Sequence, residues 1–197
     1  MSSAAVLTPH EVAELSGAPK RLVEKAIEER VLSVRLGLSP GMPRARRMLP
    51  AYSVAYAAAL KGLDLNLSLQ HKKRLARIIS EIPTDALSKA RAIIAPAVEI
   101  DLGQLIGDAV VKTEKYRAAR DTFIVIDEAI KGGTPVIRGT RMTVYAILGR
   151  VEHGDTVEDI LAENPDLARD AIEAAIIYAR THPLIGRPGG RPWTTNA

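Results

Sequence analysis

A chain of 197 residues with a hydrophobic fraction of 47% can fold into one or two domains with their own cores. Only 4% of it is aromatic, so those cores rest on Leu, Ile, Val and Ala, and the absence of cysteine excludes disulfides, thiolate zinc sites and cysteine nucleophiles. The net charge of +4 is uneven: residues 1–95 carry 15 Lys and Arg against 8 Asp and Glu, and residues 96–197 carry 12 against 15, which points to a nucleic-acid face on the first half.

In chain order, Thr8 precedes Glu11 by three residues and stands just before Val12 and Leu15, the capping-box pattern of a helix start, so a first helix is expected over residues 9–16. Gly17, Ala18 and Pro19 make a turn, and a second helix over residues 20–30 puts Leu22, Val23, Ala26 and Ile27 on one stripe. Two helices joined by three residues form a helix-turn-helix unit. VLSVRL alternates as a strand does, and after Pro40-Gly41 the run PRARRMLP can return beside it as a wing. Helices are expected over residues 53–61 and 68–79, and a shorter segment over 85–94 completes a first domain, residues 1–95.

Residues 96–122 read as a connector, with a short strand over 98–102 and a helix of mixed charge over 104–120. FIVI and PVI, separated by a glycine turn, pair as a minimal ribbon; helices follow over 144–152, 156–163, where Thr156 and Asp159 form a second capping box, and 167–180. The tail, 183–197, holds too much proline and glycine to fold alone. The expected fold class is therefore mainly α with short β elements, in two helix-turn-helix-like domains, the first of them winged.

The stretch GGTPVIRGTRMTV lacks the lysine and spacing of a Walker loop and the three spaced glycines of a dinucleotide loop. It suits a turn with positive φ at Gly132 or Gly133, a strand after Pro135, a tight approach at Gly139, and a helix capped by Thr140 or Thr143. Arg138 and Arg141 either anchor that turn through carbonyls or an acidic side chain, or contact a partner or phosphate directly.

With its continuation TVEDILAENPDLARDAIEAAIIYA, this motif resembles the small domain known as domain-of-unknown-function family 433, over residues 123–179. The resemblance implies the antitoxin half of a VapBC-like toxin-antitoxin pair, whose toxin partner is a PIN-like metal-dependent ribonuclease. It also implies a small helical DNA-binding-like fold over residues 123–182, with Gly133, Pro135, Arg138, Gly139 and Arg141 in the family's core beside Gly132.

Catalysis has little to stand on. His10, His71, His153 and His182 are scattered, and neither Asp101 with Asp108 nor Asp127 with Glu128 has a further converging ligand, so no enzymatic activity, metal or cofactor is expected. DNA binding has a clearer basis. Lys20, Arg21 and Lys25 open the second helix, where a recognition helix meets base edges, although Glu24, Glu28 and Glu29 share it; Arg44, Arg46 and Arg47 on the wing suit phosphates. The run from Lys72 to Arg77 reads equally as a DNA contact or a solvated face. Operators are bound by two-fold dimers, so a homodimer on operator double-stranded DNA is expected, with Ile172, Ile176 and Ile177 in the core, the dimer contact or both.

Following the resemblance, the tail is a toxin-binding arm in which Arg187 and Arg191 meet the nuclease's acids while Leu184, Ile185 and Trp193 fill apolar pockets. The helix near residues 112–120 is a second toxin contact. The expectation is a cytoplasmic, non-catalytic antitoxin and repressor without membrane contact. The alternatives are a dimeric transcription regulator that has no toxin, and a scaffold in which the helical hairpins serve only protein contacts.

Overall fold

The computed structural model describes residues 5–37, 45–63, 65–96 and 98–184. The chain is mainly helical with short antiparallel strands. Strand β1 (Ala5–Leu7) leads into helices α1 (Pro9–Ser16) and α2 (Lys20–Glu28), followed by strands β2 (Arg35–Gly37) and β3 (Arg46–Pro50). Helices α3 (Tyr52–Leu63) and α4 (Leu69–Glu81) come next, then a 3-10 turn at Thr84–Lys89 and the strand pair β4 (Arg91–Ala95) and β5 (Val98–Asp101). Helix α5 (Leu102–Phe123) runs 22 residues into β6 (Ile124–Val125), and β7 (Val136–Ile137) precedes α6 (Val144–Glu152), α7 (Val157–Glu163) and α8 (Arg169–Thr181).

Local chemistry sets most of these boundaries. Thr8 Oγ1 accepts from the Glu11 amide at 3.2 Å while the Glu11 carboxylate accepts from the Thr8 amide at 2.6 Å, so the capping box at α1 is closed on both sides. Gly17 ends α1 with φ +63°, which a residue bearing Cβ adopts at a cost. Thr156 and Asp159 close the same box at α7, and Thr143 caps α6 through the Ala146 amide at 3.1 Å.

The strands pair with near neighbours. In the first sheet β3 lies between β1 and β2, with Leu7 opposite Leu49 and Leu36 opposite Arg47. Ala92 pairs with Ile100 in the second, and Ile124 with Ile137 in the third. The 85–94 segment is a 3-10 turn and a strand, because Ala92 and Ile94 alternate inward against β5.

The core is built around α3 and α5. Ser53 to Ala59 are all buried, so the first two turns of α3 are enclosed on every side, and their small alanines let α1, α4 and α5 approach closely. A Cβ on Gly62 would lie 2.8 Å from Leu105 Cδ2, which shows how near α3 and α5 run. The helix expected as a connector is a spine: Leu102, Ile106, Thr113, Tyr116 and Ala119 are buried along it, and it packs against both α3 and α8. Buried apolar residues from Leu7 to Ala179 form one connected cluster.

Candidate nucleic-acid interface

Helix α2 owes its position to the turn before it. Ala18 is buried, its amide donates to Ser16 Oγ at 3.2 Å, and Pro19 sets the entry to the helix. Val23 and Ala26 then face the core with Leu22 and Ile27 at the margins, which leaves Lys20, Arg21, Lys25 and Glu28 exposed.

The acids of α2 are not all on that exposed face. Glu24 pairs with Arg47 of β3 at 3.0 Å, and Glu29 pairs with Lys72 of α4 at 2.9 Å. Five residues separate the two glutamates, which at roughly 100° per residue puts them about 140° apart around the helix, with Arg21 between them. Helix α2 is thus braced from both sides. Lys25 is 3.9 Å from Glu29, a weak contact, and Lys20 and Arg21 have no ion-pair partner among the described residues.

The arginines of the hairpin differ in setting. Arg47 is half exposed and tied to Glu24. Arg46 is partly buried in a cleft of about 210 Å³ that it lines with His10, Lys20 and Glu24. Burial, and then the Lys20 ammonium, hold the His10 imidazole below its ordinary value, and Arg46 adds to this. Arg44 lies outside the described residues.

The glycine motif works locally. Gly132, Gly133 and Gly139 have φ of +62°, +76° and +78°. Pro135 is buried and its carbonyl accepts from the Val144 amide at 3.0 Å. Arg138 donates through its amide to the Phe123 carbonyl at 2.7 Å and through Nε to the Thr122 carbonyl at 2.6 Å, so a guanidinium sits at the negative end of α5. Arg141 is exposed and unpaired among the described residues.

Ile172 is fully buried, whereas Ile176 and Ile177 line an apolar groove of about 270 Å³ between α5 and α8. Lys115 closes one edge of that groove with ion pairs to Asp170 at 3.1 Å and Glu173 at 2.7 Å. Leu184 is 64% exposed. Ile185, Arg187, Arg191 and Trp193 lie outside the described residues. No group of three or more His, Asp or Glu residues able to hold a metal ion occurs among the described residues.

Residues 124–179 match the family profile described as a protein of unknown function, DUF433. An uncharacterized protein, y4eO, of Sinorhizobium fredii is 40% identical over 88 residues, which cover 45% of this chain and 39% of that relative. The match therefore spans well under half of the relative's length. No solved structure matches the chain. The glycine motif falls inside the DUF433-like segment, while β1 to α5 precede it. No helix among the described residues is long and apolar enough to cross a membrane.

Two features of the site carry no sequence signal. One is the sideways pairing of Glu24 and Glu29, whose partners lie 23 and 43 positions away. The other is Lys61, at the end of α3: its Nζ lies 3.0 Å from where a Cβ on Gly17 would stand, so its ammonium rests on the turn between α1 and α2.

Proposed function

We propose that this chain binds double-stranded DNA by setting α2 into the major groove with the β2–β3 hairpin against the neighbouring backbone. In this reading residues 1–95 are a winged helix-turn-helix-like unit, and Arg21 and Lys25 meet base edges while Lys20, Arg44, Arg46 and Arg47 meet phosphates. One observation carries it. Glu24 and Glu29 are drawn off sideways by Arg47 and Lys72, so the first half of the exposed face of α2 is cationic.

Such a module gains operator affinity by binding as a homodimer to two half-sites. The DUF433-like segment adds the second part of the proposal: the chain is the antitoxin of a PIN-like ribonuclease, which it blocks by direct binding while repressing its own operon. This part rests on the resemblance. The exposed Leu184 opens the arm, Ile185, Arg187, Arg191 and Trp193 continue it, and the groove beside Ile176 and Ile177 is a second contact. The mechanism is cytoplasmic and non-catalytic, a matter of occupancy rather than bond making.

Coexpression with the product of the neighbouring gene, followed by size-exclusion chromatography with light scattering, tests the toxin part. A stable complex that is lost when the chain ends at His182 supports the arm. A chain that elutes alone, yet shifts its promoter fragment, leaves a dimeric regulator without a toxin.

A further inference from the structure

The side of α2 away from the hairpin opens on a cleft of about 710 Å³ between α2, the end of α3 and the start of α4. Arg21, Lys25, Lys61 and Lys72 line it, and no acid lines it among the described residues. Lys72 is held by Glu29, but Lys61 has no ion-pair partner among the described residues and lies against the turn that starts α2. Beyond the cleft, α4 exposes Lys73 and Arg74.

We infer that this cleft is a second phosphate-binding flank, with Lys61 as its principal contact, and that α2 is gripped by the DNA backbone from both sides. The inference rests on the DNA-binding reading above and assigns to it a surface outside the helix-turn-helix and its hairpin. Geometry favours duplex DNA as the occupant. A helix with side chains is about 10–12 Å across and the major groove about 12 Å wide, so a helix in the groove has a phosphate ridge along each side. Here one side carries Arg47 and the other carries Lys61, with the exposed arginine of α2 between them. A cationic cleft on one side only would suit a single strand equally well; the paired arrangement does not.

The test compares the full-length wild type with Lys61→Gln and Lys61→Arg by fluorescence anisotropy on a duplex of its own promoter and on a scrambled duplex, across a salt series. Lys61→Gln is expected to lower the slope of log K against log salt by about 0.9, so that the wild-type advantage shrinks about threefold between about 50 mM and about 200 mM salt. The loss is the same on both duplexes, because a phosphate contact reads no sequence, and Lys61→Arg restores the slope. Equal melting temperatures of the three proteins exclude a folding effect. If the wild type binds but Lys61→Gln leaves affinity and slope unchanged, the second flank is wrong and the DNA reading stands. If the wild type binds neither duplex at low salt, the DNA reading itself has failed. Competition by single-stranded RNA as effective as by duplex would also overturn the inference.

Discussion

Arg120 on α5 donates to Glu11 on α1 across 3.1 Å, with both side chains buried and 109 positions apart in the chain. Tyr116 adds a donor to the same carboxylate oxygen at 2.7 Å, and Arg120 also reaches the Val6 carbonyl at 3.1 Å. This knot ties the first strand and helix to the spine. Removing Arg120 leaves the Glu11 carboxylate charged and buried, so Arg120→Ala is expected to cost about 3–5 kcal/mol, and Glu11→Gln less, because Arg120 keeps its ion pair to Asp121 at 2.9 Å. Urea denaturation measures this; a loss below about 1 kcal/mol would mean that water reaches the pair.

His182 stacks on Tyr178 with ring centres 4.1 Å apart and is fully buried. Burial holds its imidazole below the ordinary value of 6.5. The native state therefore binds this proton less readily than the unfolded chain does. Its contribution is intact above 6.5 and is lost as the pH falls below that, and His10, also lowered, acts in the same direction. The urea midpoint is expected to fall between about pH 7.5 and about pH 5.5, above the range where carboxylates titrate. His182→Phe, which keeps a ring in the stack, should show a smaller fall.

The same substitution should have opposite signs at two glycines. Gly139 has φ +78°, so Gly139→Ala forces a left-handed conformation and is expected to cost about 1–2 kcal/mol although space is open around it. Gly107 lies within α5 with nothing within 4 Å of an added Cβ, so Gly107→Ala should stabilise by roughly 0.5–1 kcal/mol. Thermal unfolding of the two variants checks the pair.

Much of the fold was legible because its causes are local. The capping boxes at Thr8 and Thr156, the positive φ at Gly132 and Gly133, and the pairing of Ile124 with Ile137 each follow from residues within about fifteen positions of one another. The tight approach expected at Gly139 is absent: nothing lies within 4 Å of an added Cβ, and it is the φ of +78° that calls for glycine there. Strand β1 was not legible, since three residues, Ala5–Leu7, are too few to show a period of two, and it is held by pairing with Leu49 and Pro50. The burial of Arg120 was also hidden, because an arginine on a helix of mixed charge reads as surface until Glu11 is brought beside it. At the candidate site the cations of α2 were legible, but the fate of its acids depended on β3 and α4.

That fate yields a paired prediction for DNA binding. Glu24→Gln removes a negative charge from the flank of α2 and frees Arg47, so it should tighten binding to the promoter duplex, whereas Arg47→Gln should weaken it. Both effects should shrink as salt rises. Anisotropy titrations at two salt concentrations decide it, and equal effects of the same sign would mean that the pair acts only as a brace.

The most direct measurement is the affinity of the wild type and of the double variant Arg21→Ala with Lys25→Ala for the promoter duplex and for a scrambled duplex, at low and at near-physiological salt. If α2 reads the groove, the wild type prefers its promoter, and the double variant loses that preference, by about 1–3 kcal/mol for each base contact removed, while keeping part of its salt-dependent affinity. A wild type that binds both duplexes equally, or neither, would contradict the account.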